Sequence, residues 1–69
     1  MNTNSNVLIN DCLFPMPKDK ILESCLVKFG AVKPYAILLN NQFIPASEHA
    51  QVTLKEHDRI EVISAIQGG

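Results

Sequence analysis

The sequence predicts an α+β fold, with one helix packed across a small sheet. Three observations carry that expectation. Leu22, Cys25, Leu26 and Phe29 fall at i, i+3, i+4 and i+7, the spacing of one helical face. Short apolar runs that read as strands lie both before and after this stripe. Asn10-Asp11 and Asn40-Asn41 interrupt those runs with residues that tolerate positive φ, as tight turns require. At 69 residues the chain is expected to form a single domain, residues 1–69, with a modest core.

Taken in order, residues 6–10 read as the first strand and residues 12–16 as its hairpin partner across Asn10-Asp11. Pro15 has no backbone donor, which assigns that second strand to a sheet edge, and Pro17 ends it. The helix is expected over about residues 19–29, with Lys20, Glu23 and Lys28 mostly opposite the apolar stripe. Asp19 is the candidate N-cap, without the Glu or Gln three residues on that would complete a capping box. Gly30 is the C-cap, and Pro34 follows shortly. Residues 35–40 form the third strand, and Asn40-Asn41 leads to a short segment, Phe43-Ile44. Residues 45–49 read as a loop or a single helical turn, 51–54 as a short strand, 55–58 as a turn, and 59–66 as the last strand.

Composition excludes several functions. The net charge of −1 offers no basic footprint for nucleic acid, and three Phe, one Tyr and no Trp make a poor surface for stacking bases. The polar start, residues 1–6, has neither the basic beginning nor the apolar stretch of a secretory signal. The longest purely apolar run, residues 36–39, is too short to span a bilayer. A cytoplasmic location is expected, and with it no disulfide framework for the two cysteines. Cys25 lies on the apolar stripe and is expected in the core, while Cys12 follows a turn with no base near it in sequence.

No side-chain constellation has the spacing of a catalytic centre. His49 and His57 stand eight residues apart without paired cysteines, which is no zinc spacing, and they read as surface or loop residues. Ser24, Ser47 and Ser64 lack a Gly-x-Ser-x-Gly setting, and Gly30 is the only internal glycine, so there is no phosphate-cradling loop. Glu56-His57-Asp58 reads as a solvated turn. The chain is equipped as a substrate or carrier and poorly equipped as an enzyme.

The chemistry is expected at the end of the sequence. Gln67-Gly68-Gly69 follows the last strand directly, and two such glycines would meet by chance in about 0.5% of cases. Glycine lacks a Cβ, so residues 67–69 are expected to form a flexible tail that enters a narrow channel and presents an unhindered carboxylate at Gly69. Along the last strand, Ile60, Val62 and Ile66 alternate toward the helix. Arg59, Glu61, Ile63, Ala65 and Gln67 line the other face. Ile63 and Ala65, joined by Leu8 and Leu38, are expected to form an apolar docking patch beside the tail.

Four features together resemble the ubiquitin-like ThiS/MoaD family of sulfur carriers, and within it the carriers of thiamin biosynthesis. They are the strand leading into Asn10-Asp11, the helix stripe, Leu39-Asn40-Asn41-Gln42-Phe43-Ile44-Pro45, and Leu54-Lys55-Glu56-His57-Asp58-Arg59-Ile60-Glu61-Val62 leading to Gly68-Gly69. The resemblance covers residues 7–69. It departs at Lys20-Ile21, where the family often starts its helix with Thr, and at His57-Asp58, where the family often has Gly-Asp. It implies a β-grasp fold, a mixed sheet of four to five strands with the first and last parallel at its centre. It further implies that Gly69 is adenylated by a ThiF-like adenylyltransferase using ATP-Mg and converted to a thiocarboxylate with sulfur from a cysteine desulfurase. The sulfur then passes to a ThiG-like thiazole synthase. In that scheme the carrier binds no metal or cofactor itself and is a monomer when free, and Gly68, Gln67 and Ile66 guide the tail into its partners. Alternatives are the small subunit of molybdopterin synthase, whose approach to Gly-Gly is usually richer in proline, a ubiquitin-like protein modifier, and a plain interaction module.

Overall fold

The computed structural model describes residues 5–64. The first apolar run pairs with both its neighbour in sequence and the last strand of the chain. Strands β1 (Asn6–Ile9), β2 (Cys12–Pro15), β3 (Tyr35–Leu39), β4 (Gln42–Ile44) and β5 (Arg59–Ser64) form one sheet in the order β2-β1-β5-β3-β4. β1 and β5 are parallel, and every other pairing is antiparallel. Helix α1 (Leu22–Phe29) crosses one face. This is the expected α+β grasp, with β2 and its Pro15 at an edge where a missing donor costs no ladder bond.

Both asparagine turns form as the sequence predicts. Asn10 and Asn40 have φ of 51°, and Asp11 and Asn41 have φ of 68° and 70°. Two consecutive residues at positive φ give the turn whose twist matches a hairpin's strands. Each preceding strand therefore stops one residue earlier than expected, at Ile9 and at Leu39.

The helix begins at Leu22, three residues later than the sequence suggests, because Lys20 sits at φ 59° and cannot continue a right-handed turn. Asp19 still serves the helix start from outside it: its carboxylate accepts from the Ile21 N–H at 3.0 Å and from the Ser24 hydroxyl at 2.6 Å. The Leu22 and Glu23 N–H groups, which have no intrahelical acceptor, donate to the Val52 and His49 carbonyls at 3.0 and 3.1 Å. At the other end Gly30 takes φ 90°, and its N–H reaches the Leu26 and Val27 carbonyls. A Cβ there would meet nothing within 4 Å, so glycine is needed for its backbone angle and not for space.

The core lies between helix and sheet: Val7 and Ile9 of β1, Leu22, Cys25 and Leu26 of α1, Ile37 of β3, Leu54, and Ile60 of β5. Phe29 completes the helical stripe but is only partly covered, and its ring meets Phe14 edge-on at 5.7 Å. Burial pushes the Cys25 thiol up to about 11, as desolvation disfavours the thiolate.

Three expectations are corrected. Residues 51–54 do not form a strand but a single bridge, Thr53 to Ile21, and Leu54 turns inward beside it. Residues 45–49 do contain the single helical turn expected as one option, a 3-10 turn over Ala46–Glu48, but it carries His49 inward. His49 is therefore only 4% exposed, with Nε2–H donating to the Ile44 carbonyl at 3.1 Å and its ring stacked near that of Tyr35. Glu56 and His57 are exposed, as expected of a turn, but Asp58 is 6% exposed. Its carboxylate accepts from the Lys55 N–H at 2.7 Å and from Asn40 Nδ2 at 3.0 Å, which fixes the turn that launches β5.

Candidate functional site

β5 is the element that leads to the predicted reactive end, and its position is set from both sides. On the β3 side, Asn40 Oδ1 accepts from the Arg59 N–H at 2.9 Å while the Asn40 N–H donates to the Arg59 carbonyl at 2.7 Å. On the β1 side, Leu8 and Asn10 donate their N–H groups to the Asp58 and Ile60 carbonyls, each at 2.9 Å. β1 ends at Ile9, but Asn10 Oδ1 accepts from the Val62 N–H at 2.9 Å. The side chain thus continues the ladder one step beyond the last paired residue. The two turn asparagines do double duty, supplying positive φ and holding β5 in register.

Register decides which side chains share the face opposite the helix. Leu8 stands beside Arg59, Leu38 opposite Glu61, and Ala36 opposite Ile63. Outward along the sheet, Leu13 is opposite Leu8 and Phe43 opposite Leu38. Three of the predicted patch residues, Leu8, Leu38 and Ile63, therefore lie on one face, because strands one and three present the same phase to β5. Ala65, Ile66, Gln67, Gly68 and Gly69 lie outside the described residues. Leu13 and Phe43 were missed by the sequence reading. They are 70% and 58% exposed, more than Ile63 at 50%. The signal that finds them is hairpin register, since each sits directly across from a patch residue.

Across the three central strands of this face, at the end bordered by the two asparagine turns, lies a recess of about 370 Å³ lined by Leu8, Asp11, Leu38, Asn41, Arg59, Ile60 and Glu61. Arg59 donates to the Asp11 carboxylate at 3.0 Å. Both partners are mostly exposed, so the pair orients Arg59 more than it stabilises the fold. A second depression, about 310 Å³, is lined by Pro34, Tyr35, Ala36, Ile63 and Ser64 and adjoins the last described residue of β5.

Among the described residues no group of three or more His, Cys, Asp or Glu is placed to hold a metal ion. Cys12 is exposed on β2 and Cys25 is buried, and both are free thiols. Among the described residues no helix is long and apolar enough to cross a membrane. What the site offers is a face for contact, apolar at its edges and polar at its turn end, on the strand that leads toward Gly68-Gly69.

The model of the ThiS family matches residues 7–69. The chain belongs to the ThiS family. No curated protein matches it significantly. Among solved structures it is similar to the thiamine biosynthesis protein ThiS of Geobacter metallireducens, with a TM-score of 0.73 over 93% of this chain and 99% of that one. Identity between the two is 16%, so that likeness speaks to the fold alone. The ThiS-family match includes the two departures noted in the sequence. The Lys20-Ile21 start leads into a helix without a side-chain N-cap, its entry held by the Asp19 carboxylate on the Ile21 N–H, and His57 adopts φ 71° where the family often has glycine.

Proposed function

We propose that this ThiS-family chain is a sulfur carrier for the thiazole ring of thiamin, acting through a C-terminal carboxylate at Gly69. The observation that carries the reading is the family match, which extends from residue 7 in β1 to Gly69. The approach to the terminus, Ile66-Gln67-Gly68-Gly69, contains no proline and favours the thiamin branch over the molybdopterin one.

The chemistry follows from what a carboxylate lacks. Its leaving group would be oxide, so it must first be activated. A carboxylate oxygen of Gly69 attacks the α-phosphorus of ATP on a partner adenylyltransferase, and pyrophosphate leaves. A persulfide sulfur derived from cysteine then attacks the acyl-adenylate carbonyl, AMP leaves, and an acyl disulfide forms. A second thiol attacks the outer sulfur, so the S–S bond breaks and the thiocarboxylate departs while the two thiols end as a disulfide. The thiocarboxylate sulfur is the nucleophile toward the thiazole precursor on its synthase. In this cycle the carrier is a co-substrate in the cytosol, the partner uses the ATP-Mg, and no side chain of the carrier acts as acid or base. Gly69 keeps the approach to the carbonyl open, and Gly68, with Gln67 and Ile66 before it, lets the terminus enter its partners in an extended form. Leu8, Leu38, Ile63 and Ala65 supply apolar contact for docking.

Intact-protein mass spectrometry of the chain from cells making thiamin tests this. Replacement of one oxygen by sulfur in the C-terminal peptide is the expected result. Its absence, with an active adenylyltransferase and sulfur donor present, overturns the reading. A Lys-linked conjugate at Gly69 would instead mark a protein modifier.

A further inference from the structure

The recess at the turn end of the open sheet face carries an unbalanced charge. Three ionisable side chains line it: Asp11, Arg59 and Glu61. Arg59 is engaged by Asp11 at 3.0 Å, which leaves the Glu61 carboxylate as the recess's net charge. Glu61 has Leu38 directly opposite it, and Leu8 stands beside Arg59 on its other flank. Farther out lie the exposed Leu13, Phe43 and Ile63. Among the described residues, the face thus has a single uncompensated anion set inside an apolar surround. Such a surround excludes water when covered, and a charge enclosed that way must be paired or the contact is lost.

We infer that the partner surface docking here presents one cationic side chain, Arg or Lys, into the recess against Glu61, within an apolar ring that covers Leu8, Leu38, Phe43 and Leu13. This rests on the carrier reading and names the chemistry of its adenylyltransferase's contact surface. A second copy of the chain is a poor occupant, because two such faces in contact would bring like charges together. Arginine suits the site well, since its flat guanidinium can bond Glu61 while lying over leucine side chains.

The test measures ATP–pyrophosphate exchange by the ThiF-class adenylyltransferase of the same organism as a function of carrier concentration. Glu61→Lys is expected to raise KM for the carrier roughly tenfold or more while kcat holds, and Glu61→Gln to raise it a few-fold and flatten its salt dependence. Glu23→Lys changes net charge equally on the helix side and is expected to leave KM unchanged. Circular dichroism establishes that each variant is folded. Wild-type KM for Glu61→Lys overturns the inference, as does an equal rise for Glu23→Lys, which would show a global charge effect. A dimer of the chain alone that Glu61→Lys disrupts would assign the face to a second copy and overturn it as well. If the wild-type chain supports no exchange, the carrier reading itself falls, and the inference with it.

Discussion

The two faces of the one sheet are built from alternating residues of the same strands, yet they are finished differently. On β5, Ile60 points to the helix and is buried among Ile9, Ile37, Leu22 and Leu26, while Arg59 and Glu61 on either side of it point away. On β1, Val7 and Ile9 are sealed and Leu8 between them is only half-buried. The helix face is uniformly apolar and closed. The open face mixes leucines with a charged turn end and keeps Leu13 and Phe43 exposed. A residue kept apolar where water reaches it contributes little to the fold, so the contrast separates residues that hold the domain together from residues available to a partner. Substitutions on the two faces should therefore divide into a stability class and a binding class.

The largest effect is expected at the centre of the closed face. Leu22→Ala empties a fully buried site between helix and sheet and should cost about 2–5 kcal/mol, a large part of what a domain this small possesses. Thermal or urea melts would read it. A loss below about 1 kcal/mol would mean that the core collapses to fill the gap, and the two faces would then differ less than their burial indicates. Next in size is Asp58→Ala. It leaves the Lys55 N–H and the Asn40 amide without their acceptor and should cost about 1–3 kcal/mol. Asp58 precedes β5, so hydrogen exchange in that variant should quicken first in β5 and the β3 residues paired with it. Uniform acceleration over the whole sheet would argue against a local pin.

Leu13→Thr and Phe43→Thr probe the open face. Threonine suits strands, and neither site is buried, so stability should stay within about 0.5 kcal/mol of wild type. Adenylation by the partner should nonetheless weaken through KM. If these variants melt early and dock normally, the division between the faces is wrong.

What could be read without the structure follows the range of the interactions. The hairpin turns, the edge placement of Pro15, the helical stripe and the Gly30 cap depend on neighbours in sequence, and all were legible. The helix start was not, because Lys20 at positive φ and the carbonyls of His49 and Val52 decide it, and the latter lie some thirty residues away in the chain. His49 and Asp58 looked like solvated loop residues because Ile44, Tyr35 and Asn40, the groups that cover or bond them, are set by tertiary folding. The open face was half legible. Alternation placed Ile63 on it, but Leu13 and Phe43 join only when hairpin register puts them opposite Leu8 and Leu38.

The smallest expected effect concerns the edge of the closed face, where the helix starts. The Ser24 hydroxyl, and after it the Ile21 N–H, hold the Asp19 carboxyl below its ordinary value of 3.8. A carboxyl whose pKa is lower folded than unfolded contributes stability above the unfolded value, and that contribution disappears as pH falls through the folded value. Ser24→Ala removes the larger of the two bonds. Melting temperatures of the two proteins should therefore differ slightly at neutral pH and converge as pH drops below about 4. Asp19 is solvent-exposed, so the gap should also be small. A gap that persisted unchanged into acid would mean that Ser24 acts through packing on α1 and not through the carboxylate it caps.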